Sequence, residues 1–131
     1  MTELERSSTR TIEGLIALAQ TYFDAAYTMD ADKFATIFHE ASSVTRRGDG
    51  GAIVVTPLAA WLGAVGGLAS PRDAGAARRD HILAITPGRN MALLKLKLRI
   101  PPREVTDLLS CFFIDGRWQI VQKVFDAESV E

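Results

Sequence analysis

The ten residues MALLKLKLRI, positions 91–100, alternate almost without fault. Leu94, Leu96, Leu98 and Ile100 fall on one side and Lys95, Lys97 and Arg99 on the other, the period of a strand with one dry face and one wet face. Pro101-Pro102 ends the run, because neither proline can donate to a ladder. Such a strand belongs to a sheet that is covered on one face only, so the rest of the chain has to supply the cover.

The cover is read at the other end of the chain. Ile12, Leu15, Ile16, Ala19, Tyr22, Phe23 and Ala26 recur at helical spacing, while Arg10, Glu13, Gln20 and Asp24 fall elsewhere; this predicts a long amphipathic helix to about Tyr27. TMDAD breaks the pattern, and Asp30 is placed to cap a short second helix carrying Phe34, Ile37 and Phe38. His39 closes that helix, where its imidazole bonds terminal carbonyls. SSVTRR and AIVVT flank GDGG as a hairpin. Thr56 then caps a third helix with Pro57 at its first position, an apolar face of Leu58, Trp61, Leu62 and Val65, and Gly66-Gly67 at its end. ASPRDAGAAR reads as a loop, placed to act as a lid. RDHILAIT, MALLKLKLRI, EVTDLLSCFFI and RWQIVQKVF follow as antiparallel strands joined at PGRN, the prolines and DG. Helices first and sheet last make a single α+β domain over residues 1–131.

The last strand poses a problem. Strict alternation puts Trp118, Ile120, Gln122 and Val124 on one face and Gln119, Val121, Lys123 and Phe125 on the other, and neither is cleanly polar. Lys123 is either a stem packed on apolar surface with its head snorkelling to water, or an amine held where one is wanted.

Bulk composition excludes several classes. With 131 residues, 47% hydrophobic and 24% charged, the chain is ordinary for a globular domain. A formal net charge of −1 lacks the basic excess of a nucleic-acid binder. Cys111 is the single cysteine, which points to a reducing, cytoplasmic setting. MTELERSSTR has no apolar segment and is not a secretory signal. Residues 50–71 carry no charge and are long enough to span a bilayer, but Thr56-Pro57 and five glycines interrupt them, so a strand followed by a helix is expected. HEASS lacks the second histidine of a zinc helix, and GDGGAI has no following helix to make a phosphate cradle. No metal or cofactor is expected.

Two stretches carry a resemblance. YFDAAYTMDADKFATIFHEASSV resembles the opening of the nuclear transport factor 2-like superfamily. VTDLLSCFFIDGRWQIVQKVF resembles its ending, with the D-x-L…D-G-x-W-x-I-x-x-K-x-F pattern of the "putative lumazine-binding" group. The likeness runs over residues 12–128, and the superfamily includes ketosteroid isomerase, scytalone dehydratase and SnoaL-type cyclases beside many non-enzymes. It implies a cone: a curved antiparallel sheet wrapped around the three helices, enclosing a pocket, its outer face often paired with a second copy as a homodimer.

On that resemblance Leu94, Leu96 and Leu98 line the cone. Aligning the last strand to ketosteroid isomerase at its D-G-R turn puts Val121, Lys123 and Phe125 on the pocket side, with Thr106, Leu108, Ser110 and Phe112 beside them and Asp107 and Cys111 facing away. The isomerase tyrosine falls on Tyr22, its base at or beside Arg46 and its second acid on Ser110. An arginine cannot be a general base at neutral pH, so that mechanism is rejected. The pocket candidates are therefore Tyr22, Trp61, His81, Leu94, Leu96, Leu98, Leu108, Ser110, Phe112, Val121, Lys123 and Phe125. They suit a small-molecule binder for a planar or polycyclic ligand. The alternatives are a SnoaL-type or dehydratase-type enzyme using Tyr22 with Lys123 or His81, and a dimeric assembly module joined through Trp118 and Cys111 on the outer sheet.

Overall fold

A computed structural model describes residues 12–130; Arg10 and the charged N-terminal segment read above lie outside the described residues. Helix α1 spans Ile12–Thr28, α2 Ala31–Ala35 and α3 Leu58–Val65. The strands are β1 Phe38–Arg47, β2 Ile53–Pro57, β3 His81–Pro87, β4 Met91–Ile100, β5 Arg103–Ile114 and β6 Arg117–Ser129. They form one sheet in the order β2-β1-β6-β5-β4-β3, antiparallel except where β1 runs parallel to β6. The α+β cone expected from the sequence is the fold observed.

Local chemistry sets the elements. Asp30 accepts from the Lys33 N–H at 3.0 Å and caps α2. Asp115 and Gly116, at φ 53° and 80°, make the tight turn into β6 that only such residues accept easily. The alternation of β4 holds: Ala92, Leu94, Leu96 and Leu98 are buried beneath α1, with Lys95 exposed and Lys97 and Arg99 half-buried on the far side. Residues 50–71 divide into β2 and the eight-residue α3, and among the described residues no helix is long and apolar enough to cross a membrane.

Three readings need correction. Helix α2 stops at Ala35, so Phe38 and His39 belong to β1, where the Phe38 backbone pairs with Ile120. The Thr36 hydroxyl donates to the Lys33 carbonyl at 2.6 Å and closes the helix early, and His39 accepts the Ala41 N–H through Nδ1 at 3.0 Å without capping anything. At α3, Pro57 and not Thr56 occupies the N-cap position. The loop after α3 is no free lid: Ser70 and Pro71 are buried, the Arg72 N–H donates to the Tyr27 carbonyl and the Tyr27 hydroxyl to Ala76 O at 2.8 Å.

The sheet is bent by extra residues. Ser110 pairs with Gln122 but Cys111 with Ile120, so Val121 is an insertion in β6. Further register shifts lie between Phe38 and Ser43 on β1 and between Ile82 and Ala84 on β3. Bulges raise local twist, and here they curl the long β5–β6 pair around α1.

Candidate functional site

The bulge at Val121 answers the problem of the last strand. Ahead of it Trp118 and Ile120 point inward; beyond it Lys123, Phe125 and Ala127 do. The strand changes phase once, so its apolar face is continuous although its sequence alternation is not.

Lys123 is 6% exposed, and its ammonium meets Tyr22 of α1 and Asp107 of β5. Nζ donates to the Tyr22 hydroxyl at 2.6 Å, and that hydroxyl donates to Asp107 Oδ2 at 3.0 Å. Nζ also lies 3.5 Å from Asp107 Oδ1, an ion contact rather than a hydrogen bond, and Oδ1 has no hydrogen-bond partner. The rings of Trp61 and Phe125 flank the ammonium with centroids at 4.5 and 4.8 Å, a distance at which their negative faces attract a cation.

Burial dominates the electrostatics of this group. It lowers the Lys123 pKa, with Asp107 opposing. It raises the Asp107 carboxyl, with Lys123 and Tyr22 opposing, and it pushes the Tyr22 hydroxyl well above its ordinary value, reinforced by the Asp107 charge. Asp107 is the most buried of the described charged residues, at 0% exposure. A charge so placed persists only with partners, which Lys123 and Tyr22 supply.

These three side chains sit against a cavity of about 210 Å³. Its aromatic wall is Phe34 and Trp61, edge to face at 4.9 Å, with Phe34 also edge to face on Tyr22 at 5.2 Å. Ala26 and Met29 of the α1 end, and Leu98, Ile100 and Val105 of the strands, complete an apolar surround. Leu68 and the exposed Arg103 also line it.

The residues named from sequence divide into three groups. Tyr22, Trp61, Leu98, Lys123 and Phe125 line the cavity. Leu94 and Leu96 point inward but are wholly buried in the core away from it. Leu108, Ser110 and Phe112 stand on the outer face with Val121, and His81 is exposed where β3 begins, paired with Lys97 on the sheet's edge. The β5 assignment was inverted: Val105, Asp107, Leu109 and Cys111 face inward. Carrying one parity through the β5–β6 pair ignores the bulge, and the bulge reverses it. Cys111, whose thiol burial pushes up to about 12, and Trp118, packed edge to face on Phe113 at 5.4 Å, are therefore core and not outer surface. Asp107 is the cavity-wall residue that the parity count places on the wrong face. The signal for it was Cys111: free cysteine is among the most buried residue types, and Asp107 shares its face. Tyr22 is bonded to a carboxylate from Asp107, Ser110 lies on the other face of β5, and Arg46 is exposed on β1.

A curved sheet closed on three helices, with a polar cluster on one side of an apolar cavity, defines a nuclear transport factor 2-like protein. The family model described as "Putative lumazine-binding" matches residues 10–126, and the chain belongs to that family. No curated protein matches it. Among solved structures, an NTF2-like protein of unknown function from Silicibacter pomeroyi is 20% identical, covering 98% of this chain and 100% of that one at a TM-score of 0.73. An NTF2-like protein of unknown function from Shewanella baltica is 12% identical over 98% of both chains at 0.81. A putative ketosteroid isomerase from Kribbella flavida is 14% identical, covering 95% of this chain and 81% of that one at 0.55. At these identities the likeness is one of fold.

Proposed function

We propose that the chain binds a small planar molecule of one or two rings in the cone. The observation that carries this reading is an apolar cavity of about 210 Å³ lined by Tyr22, Trp61, Lys123 and Phe125, with the buried Asp107 carboxylate in its wall. Ligand pockets are built this way, mostly apolar with a few fixed polar groups. A cavity of about 150 Å³ holds benzene, so the volume favours one or two rings over a steroid-sized skeleton. Because Asp107 already faces Lys123, the cluster offers no net positive charge to an anion. Lys123, the most exposed of the three at 6%, offers an N–H, which suits a hydroxyl or carbonyl oxygen on the ligand.

The test is a thermal-shift series with naphthalene, 2-naphthol and indole. A ligand at about a hundred times its dissociation constant adds roughly 2.7 kcal/mol, several degrees for a domain of this size. 2-Naphthol is expected to raise Tm more than naphthalene or indole. No shift with any of them counts against the reading.

A second reading concerns the outside of the sheet and is compatible with the first. Leu93, Leu108, Phe112 and Val124 are exposed on neighbouring strands β4, β5 and β6. A contiguous apolar patch on an otherwise polar surface favours pairing with a second copy, and the homodimer reading rests on these residues in place of Trp118 and Cys111.

A further inference from the structure

Lys123, Tyr22 and Asp107 form a chain of donors and acceptors that ends on a nitrogen facing the cavity. Nζ donates to Tyr22 Oη at 2.6 Å, and Oη donates onward to Asp107 Oδ2 at 3.0 Å. A proton can therefore leave the ammonium for Oη while the phenolic proton passes to the carboxylate, without either group moving. The transfer converts a buried ion pair into a neutral amine and a neutral acid, which a low-dielectric site tolerates better than it tolerates separated charges. The neutral amine is a nucleophile, and lysines held in apolar pockets use it to attack carbonyls.

We infer that Lys123 is an imine-forming lysine for aldehydes or ketones that enter the cone, with Tyr22 and Asp107 as its proton relay. The step balances. The lysine ammonium passes one proton through Tyr22 to Asp107; the free amine adds to the carbonyl carbon, giving a carbinolamine. Asp107 returns its proton through Tyr22 to the carbinolamine hydroxyl, and water leaves. The product is a protonated imine on Nζ, with Asp107 again a carboxylate. That cation occupies the place of the original ammonium, so the rings of Trp61 and Phe125 at 4.5 and 4.8 Å and the Asp107 charge stabilise it as they did the ammonium. Burial lowers Lys123 and raises Asp107, which brings the two proton affinities closer and eases the transfer.

The inference rests on the cone admitting a ligand, and the experiment separates the two. The full chain is incubated with benzaldehyde and sodium cyanoborohydride at neutral pH, and the benzylated lysines are located and timed by peptide mapping. Lys33 and Lys95, both exposed, and half-buried Lys97 serve as reference amines in the same molecule. A lowered lysine pKa leaves more neutral amine at a given pH, so Lys123 is expected to be benzylated faster than the three references. Benzyl alcohol, which fits the same space but cannot form an imine, is tested in parallel by thermal shift. If benzyl alcohol stabilises the protein and Lys123 reacts no faster than the reference lysines, the imine inference is overturned and ligand binding stands. If neither occurs, both are overturned. Tyr22→Phe, which breaks the relay but keeps the ring, is expected to slow trapping at Lys123 and leave Lys33 and Lys95 unchanged; equal trapping in that variant removes the relay.

Discussion

Asp107 and Lys123 are each tolerable in the cone because the other is there. Removing one member of a buried pair leaves the other charge without compensation, at a cost of about 3–5 kcal/mol, whereas replacing both by apolar groups is often neutral or stabilising. Lys123→Met is thus expected to lose about that much in urea unfolding, and Asp107→Leu combined with Lys123→Met to recover most of it. A double variant as unstable as the single one contradicts the pairing. The pH dependence has a definite sign. Asp107 has a folded pKa above its ordinary 3.8, so it binds its proton more tightly folded than unfolded, and stability is lost as pH rises through that window. Without Lys123 the Asp107 carboxyl rises further, so Lys123→Met should fall in Tm from acid toward neutral pH more steeply than the parent. Lys123, lowered from 10.5, has the opposite sign: in the parent, stability is gained between its lowered value and 10.5. Sequence revealed the lysine but not its partner, since spacing alone assigns Asp107 to the wrong face once an inserted residue intervenes.

Helix α2 is a small element with a large share in the site. Five residues cannot hold a helix by propensity, so its cap and its packing keep it. Phe34, its buried residue, forms the wall between Tyr22 and Trp61. Asp30→Ala removes the bond to the Lys33 N–H and is expected to cost about 1 kcal/mol, read as a lower Tm, with a weaker 2-naphthol shift because the Phe34 wall loosens. A variant with unchanged Tm contradicts the capping role. At this scale much was legible. Asp30, the Asp115-Gly116 turn and the Leu94–Leu96–Leu98 face carry their geometry in local sequence. What was not legible arises from pairing between distant strands: Phe38 leaves the helix because it finds Ile120, and Val121 bulges because β5 and β6 must curl around α1.

The described residues present apolar surface of different kinds inside the cone and on the outer sheet. For the outer surface, Phe112→Lys places a charge at one end of the patch, on a residue 46% exposed in the single chain. The variant is expected to sediment as a monomer where the parent sediments as a dimer, with binding in the cone unchanged; a monomeric parent contradicts the dimer. For the inner surface the two tryptophans allow a direct reading. Trp61 lines the cavity and Trp118 packs on Phe113 away from it. In Trp118→Phe the emission of the remaining Trp61, excited at 295 nm, is titrated with benzyl alcohol, and in Trp61→Phe that of Trp118 is titrated alike. A saturable change in Trp61 emission and none in Trp118 is expected. A response of Trp118 alone, or of neither, would show that the cone is not where this protein takes a ligand.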